Sequence, residues 1–227
     1  MTVKANEKLD RNKLKEQVIV EACGAFRKYG IKRVTMDEIA SLLTISKRTL
    51  YEIFEDKEAL LIAIIQHNRE KNRQYTERAY SESANVLEVV MKVLTISLRE
   101  LQVTNRNLFA DLKKYPKAYN ILLENRKNES NKKIHFFKLG AEQGYFRTDL
   151  NFEILSDLLE EQWLLFMRSD ICTQFSFVEI FEAITFTFLR GISTQKGTAL
   201  LEDFLSEYRE NGMPAVDSDI KCTNTNL

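Results

Sequence analysis

Four hydrogen-bond donors lie within five consecutive positions of the chain and could bind a nucleic acid. They are Lys47, Arg48, Thr49 and Tyr51. Lysine and arginine neutralise phosphates, and the planar guanidinium of Arg48 can pair with O6 and N7 of guanine. Thr49 offers a hydroxyl group to phosphate and a methyl group to thymine. This cluster predicts contact with phosphates or base edges.

Two short helices are predicted to position these donors. Thr35 is a hydroxyl N-cap and Glu38 follows three residues later, which is the spacing of a capping box. Ile39, Ala40 and Leu43 then repeat at helical spacing and form one apolar face. The sequence therefore predicts a first helix that begins after Thr35.

A second helix is predicted from Lys47 to Phe54, with Ser46 as its cap. Leu50 and Phe54 are four residues apart and point inward, while Ile45 fills the corner between the helices. The donors remain on the outer face at the amino end. Two crossing helices of this kind describe a helix-turn-helix, whose second helix enters the major groove of DNA.

Thr35, Ser46 and Lys57 lie at predicted helix starts, where unpaired N–H groups and the helix dipole favour an anion. The complete predicted DNA-binding set is Thr35, Ser46, Lys47, Arg48, Thr49, Tyr51 and Lys57. The alternative interpretation is that Thr35, Ser46 and Asp56 are only helix caps and that the cations only solvate a surface.

About 45 of the 227 residues, from about Val18 to Leu61, resemble the amino-terminal domain of the TetR family of bacterial transcription regulators. The matching residues are Ala22, Phe26, Tyr29, Gly30, Val34, Thr35, Ile39, Ala40, Ser46, Lys47, Thr49, Leu50, Tyr51, Phe54, Lys57, Ala59, Leu60 and Leu61. The resemblance implies a DNA-binding repressor, a Tyr51 that bonds a backbone phosphate, and a four-helix dimer seam near the carboxyl end.

Two positions depart from the family pattern. Thr44 stands at the corner where glycine is usual, and a β-branched residue at positive φ costs on the order of 1 kcal/mol or more. Thr44 could therefore reshape the turn. Glu52 and Ile53 stand where relatives often carry aromatic or histidine residues. Glu52 could accept from cytosine N4 or repel a phosphate.

Composition predicts an all-α fold, since the chain has only 7 Gly and 2 Pro. The resemblance implies a TetR-like arrangement of about nine or ten helices, with a three-helix DNA-binding domain and a helical ligand-binding and dimerisation domain. Residues 1–51 contain 11 Lys and Arg against 6 Asp and Glu, although the whole chain is neutral. A basic amino-terminal region on an acidic body suits local phosphate contact.

Cysteine and histidine spacing predicts neither a metal site nor a cofactor. Cys23, Cys172 and Cys222 are far apart and form no zinc-ligand pattern. Neither His67 nor His135 belongs to a Glu-x-x-His pair, and no nucleotide or hydrolase motif occurs. The sequence therefore argues against a helical-bundle enzyme. A protein-binding adaptor remains as an alternative, which the outward donors of the second helix argue against.

No secretion signal or membrane span is expected, since the longest apolar run is residues 59–65. A cytoplasmic protein is therefore predicted. The predicted domains are a flexible arm (1–10), the DNA-binding domain (11–56), an effector-binding and dimerisation domain (57–212) and a polar tail (213–227). The longer helices are predicted at 11–29, 57–82, 85–103, 116–144, 152–172, 177–190 and 197–210, with Gly191 ending the sixth.

A homodimer on a palindromic operator is expected, because one recognition helix buries little surface. Helices 152–172 and 177–190 are apolar over more than one face, and the predicted interface residues are Leu159, Trp163, Phe166, Phe177, Phe181, Ile184 and Phe188. Ordinary monomer core is the alternative. A small-molecule effector pocket of unknown specificity is predicted among His67, Phe109, Tyr119, Phe137 and Trp163, for which plain core is again the alternative.

Overall fold

A computed structural model describes residues 2–127, 129–168 and 171–212. In these ranges the chain forms twelve helical segments, ten of which have seven residues or more. Strands are absent from the same ranges, apart from one isolated antiparallel bridge between Phe146 and Ser193. The predicted all-α fold is confirmed. None of the described helices combines the length and apolar character needed to cross a membrane.

The helices have the following bounds: α1 Thr2–Tyr29, α2 Met36–Leu42, α3 Lys47–Ile53, α4 Lys57–Ser81, α5 Val86–Val103, α6 Leu108–Leu112, α7 Pro116–Lys127, α8 Ser130–Glu142, α9 Phe152–Arg168, α10 Ile171–Gln174, α11 Phe177–Ile192 and α12 Gln195–Asn211.

Two helix boundaries differ from the sequence prediction in the first half of the chain. Helix α1 begins at Thr2, so residues 2–10 are helical where a flexible arm is predicted, because no Gly or Pro interrupts them. The single helix predicted over 116–144 is two helices, α7 and α8. The polar run 124–133 explains this break, since it offers no apolar face to hold a continuous helix against a core.

Further differences lie near the carboxyl end. The helix predicted over 152–172 is described as α9 and the short α10. Gly191 does not end α11, which continues to Ile192 and stops where Ser193 becomes extended. Helix α12 begins two residues before the predicted Gly197, because the hydroxyl of Thr194 accepts a hydrogen bond from the Gly197 N–H at 3.2 Å. The predicted tail, 213–227, lies outside the described residues.

Two compact units divide the described chain. The first comprises residues 2–70 and 103–122, and the second comprises residues 71–102 and 123–212. The predicted functional division between residues 56 and 57 remains a prediction.

The core of the first unit is formed by the apolar faces that the sequence predicts. Buried side chains come from α1, α2, α3, the α3–α4 loop and α4: Val18, Ala22, Phe26, Ile39, Ala40, Leu50, Phe54, Leu60, Leu61 and Ile64. Burying each valine, leucine, isoleucine or phenylalanine side chain of this set stabilises the fold by about 1.5–3 kcal/mol. This core fixes which face of α3 remains outside.

An aromatic cluster forms the core of the second unit. The ring of Phe137 lies 6.1 Å from those of Phe152 and Phe188 and 6.3 Å from that of Phe146. Gly140 is required here, because a Cβ at this position would lie 2.1 Å from the Phe146 ring.

Candidate nucleic-acid interface

Helix α2 begins with the predicted capping box. The Thr35 N–H donates to the Glu38 carboxylate at 2.7 Å, and the Glu38 N–H donates to the Thr35 hydroxyl at 3.2 Å. The hydrogen bonds from the backbone N–H and the hydroxyl of Thr35 hold the pKa of Glu38 below its usual range. The box fixes the direction in which the chain enters α2.

The corner between α2 and α3 keeps the geometry of a helix end at which glycine is usual. The Ile45 N–H donates to the Ala40 carbonyl at 3.0 Å, and the Thr44 N–H donates to the Ser41 carbonyl at 3.1 Å. This pair of bonds is a Schellman motif, and Thr44 has the positive φ of 55° that it requires. The corner is therefore not reshaped, and Thr44 carries the predicted backbone strain.

Helix α3 is capped by Ser46, whose hydroxyl accepts the Thr49 N–H at 3.0 Å and lies 2.8 Å from the Thr49 hydroxyl. Leu50 and Phe54 are buried, whereas Tyr51 is 49% exposed. Burial of the apolar pair therefore turns the amino end of α3, with its donors, toward the surface.

Both cations of α3 form ion pairs on this surface. Lys47 pairs with Asp37 of α2, and Arg48 Nε donates to Glu52 Oε1 at 2.9 Å. The side chain of Arg48 remains 89% exposed. Arg11 of α1 donates to the Glu52 carbonyl at 2.9 Å and so satisfies one of the last carbonyls of the helix.

Lys57 is placed differently from the other predicted residues. Its ammonium is half-buried and donates to the Ile31 carbonyl at 3.0 Å, 5.9 Å from the centre of the Phe26 ring. Burial lowers the pKa of Lys57, and the nearby carboxylates of Asp111 and Glu38 oppose that shift. An ammonium has three N–H donors, so the bond to Ile31 leaves capacity for a phosphate.

The loop that leads from α1 into α2 is held by residues distant in sequence. Gly30 adopts the expected positive φ, 88°, after α1. The Lys32 N–H donates to the buried carboxylate of Asp111 at 2.8 Å, and the Asn105 N–H donates to the Arg27 carbonyl at 2.6 Å. These contacts place the loop on the segment between α5 and α7, within the first unit.

Sequence reasoning missed Arg11, Asp37 and Asp111. The pairing of Arg48 with Glu52 could have been found from their spacing of four residues, which brings side chains together on a helix. The other three contacts join different elements, so only the tertiary structure reveals them. Six of the seven predicted DNA-binding residues lie exposed or half-exposed at the starts of α2 and α3: Thr35, Ser46, Lys47, Arg48, Thr49 and Tyr51.

The predicted effector residues are divided between the two units. His67, Phe109 and Tyr119 belong to the first unit, whereas Phe137 and Trp163 belong to the second. Phe137 is buried among other aromatic rings, which favours its interpretation as core. The effector pocket remains a prediction.

The predicted dimer residues differ in their exposure. Phe177 and Phe188 are buried within their own chain, while Leu159 and Phe181 are partly buried against the core of the second unit. Trp163 and Ile184 are also partly buried, and the side chain of Phe166 lies outside the described part. Three apolar side chains on α9 and after α10 are exposed: Ile154, Leu158 and Phe175, of which Ile154 is 64% exposed. Of these, Ile154 and Phe175 were missed from the sequence.

Among the described residues, no group of three or more His, Cys, Asp or Glu side chains could hold a metal ion. A family model described as bacterial regulatory proteins, tetR family, matches residues 18–64. That match confirms the resemblance stated from the sequence.

One curated relative is the uncharacterized HTH-type transcriptional regulator YvaF of Bacillus subtilis (strain 168). It is 35% identical over 82 residues, which are 36% of this chain and 43% of the relative. The match thus spans less than half the length of the relative.

Solved structures share the fold over most of the chain. A TetR-family transcriptional regulator from Marinobacter aquaeolei VT8 has a TM-score of 0.60 at 17% identity, over 84% of this chain and 98% of the other. Regulatory protein TetR from Rhodobacter sphaeroides has a TM-score of 0.58 at 17% identity, over 79% of this chain and 99% of the other. At these identities the likeness concerns the fold alone.

Proposed function

We propose that this chain, whose residues 18–64 match the family model of bacterial regulatory proteins, tetR family, is a sequence-specific DNA-binding transcriptional regulator. The observation that carries the proposal is the orientation of α3. Leu50 is buried, while Lys47, Arg48 and Tyr51 stand exposed around the amino end of the helix. In a helix-turn-helix, this is the part of the second helix that reaches base edges.

The seven predicted residues contact different parts of the DNA, some the bases and others the phosphates. Arg48 reads guanine through its fork, and Lys47 reaches a base edge or a phosphate. Thr49 and Tyr51 bind phosphate oxygens. Thr35, Ser46 and Lys57 receive phosphates at helix starts and thereby set the register of the protein on the duplex.

A homodimer is the proposed DNA-binding form, because two copies of α3 can read two half-sites of a palindromic operator. The exposed Ile154 and Leu158 support this assembly, since they lie four residues apart on α9 and so on the same helix face. An apolar pair on one face is what a helix-to-helix seam between two copies would bury. The proposed location of the protein is the cytoplasm, with its DNA.

The proposed mode of action is repression that is released by a small-molecule effector, the mode that the family resemblance implies. Such a ligand acts only if it binds one arrangement of the dimer more tightly than the other. Of the residues predicted for its pocket, His67, Phe109 and Tyr119 lie together in the first unit.

Selection of binding sites from random duplexes tests this function. The purified full chain is expected to enrich a two-fold symmetric sequence with half-sites separated by about one helical turn or a multiple of it. Enrichment of no sequence, or of sequences without symmetry, would contradict a dimeric regulator. A metabolite screen for release of the enriched duplex then tests the effector proposal.

A further inference from the structure

We propose that Asp37 and Glu52 are specificity-determining residues, which weaken binding to DNA of the wrong sequence by holding the two cations of α3. We call Lys47 with Asp37, and Arg48 with Glu52, the held pairs. The inference rests on the proposed DNA binding of α3. It assigns a role to Asp37, which belongs to no predicted contact with DNA, and to Glu52, for which the sequence leaves open a contact with cytosine N4 or the repulsion of a phosphate.

The held pairs are built from different parts of the helix-turn-helix. Asp37 lies in the first turn of α2 and pairs with the first residue of α3, whereas Glu52 accepts from Arg48 within α3 at 2.9 Å. The side chains are 66% and 51% exposed in the first pair and 89% and 56% exposed in the second. Ion pairs with this exposure are weak: the paired form is favoured over the separated form by at most about fivefold.

Charge cancels across the held pairs. Two cations and two carboxylates sum to zero, and the other outward donors of α3, Thr49 and Tyr51, are neutral. Non-specific binding comes from neutralising phosphates and releasing their counterions. When Lys47 or Arg48 moves from its carboxylate to a phosphate, it exchanges one anionic partner for another. The carboxylate left behind then lies next to the phosphates and repels them. Contact between α3 and a phosphate at an arbitrary site therefore contributes little binding free energy.

A guanine within reach of Arg48 makes opening of its ion pair favourable. A bidentate contact between Arg48 and guanine discriminates against other bases by roughly five- to 150-fold, which exceeds the cost of opening an exposed pair. The held pairs should therefore open on the operator and stay closed elsewhere. The order of the residues supports this, since an arginine that precedes its glutamate by four residues is the less stable arrangement on a helix.

Arg11 keeps Glu52 in place for this role. Its guanidinium donates to the Glu52 backbone carbonyl at 2.9 Å, so the carboxyl end of α3 is fixed to α1. The carboxylate of Glu52 thus remains within reach of Arg48 while α3 stays rigid.

Two isosteric substitutions, Glu52→Gln and Asp37→Asn, release the cations without changing side-chain shape. Glu55→Gln is the matched control, because Glu55 is an exposed carboxylate in the same unit that makes no ion pair with the described residues. Circular dichroism first verifies that each full-length variant folds. Fluorescence anisotropy then measures binding to the enriched operator and to a scrambled duplex of equal length, over a series of salt concentrations.

Relative to Glu55→Gln, both test variants are expected to bind the scrambled duplex about two- to fivefold more tightly. Their salt dependence should be steeper by about one ion, and the ratio of operator to scrambled affinity should fall. Binding of the scrambled duplex equal to that of Glu55→Gln overturns the inference. If no operator is enriched, the proposed function fails and the inference that rests on it fails with it, whereas equal binding of the scrambled duplex beside an enriched operator overturns the inference alone.

Discussion

The backbone N–H of Lys32 donates a hydrogen bond to the buried carboxylate of Asp111 at 2.8 Å, although 79 residues separate the two. Lys114 binds the other oxygen of the same carboxylate at 2.9 Å. Asp111 thereby holds the loop that leads from α1 into the capping box of α2. The entry of the chain into α2 depends on this loop, so a residue outside the proposed DNA-binding surface supports that surface.

Asp111→Ala should lower the free energy of unfolding by about 1–3 kcal/mol, because it removes an acceptor from a backbone N–H that is partly shielded from water. Lys114→Ala is the control: it removes only the exposed ion-pair partner and should cost about 0.2–1 kcal/mol. Urea unfolding of the full chain measures both. Equal losses in the two variants would show that the bond to Lys32 contributes nothing.

Thr44→Gly should stabilise the protein. The left-handed conformation costs an L-residue about 1–2 kcal/mol, while glycine adds about 0.5–1 kcal/mol of chain entropy in the unfolded state. The expected net gain is about 0.5–1 kcal/mol, seen as a higher melting temperature. Thr44→Ala keeps a Cβ at the same φ and should gain less than glycine. A melting temperature that falls in Thr44→Gly would contradict the strain at this corner.

Glu38→Gln should make stability less dependent on pH. The hydrogen bonds from Thr35 lower the pKa of Glu38 in the folded state, so its contribution is complete above the unfolded pKa, about 4.3. That contribution disappears as pH falls through the lower folded value. Wild type should therefore melt above Glu38→Gln at pH 7, and the gap should close in acid. A gap that persists below pH 3 or so would be inconsistent with the capping box as its cause.

Local rules were sufficient for much of the site. The caps at Thr35 and Ser46, the positive φ of Gly30 and the inward face of Leu50 follow from residue type and spacing, and each is present. Such features involve residues at most four positions apart, so the sequence contains all the information that they need.

Features that join distant elements could not be predicted in the same way. The contact of Asp111 with Lys32 and that of Arg11 with Glu52 depend on how helices pack, which no spacing rule encodes. The break between α7 and α8 was missed for a related reason. A polar run has the same sequence pattern whether the helix continues through solvent or ends there, so the pattern cannot distinguish the two cases.

Leu158→Glu should weaken the proposed dimer, because it places a charge on an exposed apolar position of α9. Val103→Glu is the matched control: Val103 is 66% exposed and belongs to the first unit. Sedimentation velocity over a concentration series should show a shift toward monomer for Leu158→Glu only. Unchanged assembly in Leu158→Glu would exclude this face of α9 from the interface.

In the proposed function, Arg48 on the exposed end of α3 reads DNA sequence, and operator binding by Arg48→Ala is the measurement that isolates this role. The enriched operator should be bound roughly five- to 150-fold more weakly by this variant, whereas the affinity for scrambled DNA should fall by only about two- to fivefold, because Glu52 loses its partner cation. Arg209→Ala, at the exposed end of α12, should bind as wild type does. Operator affinity in Arg48→Ala equal to that of wild type would contradict the account.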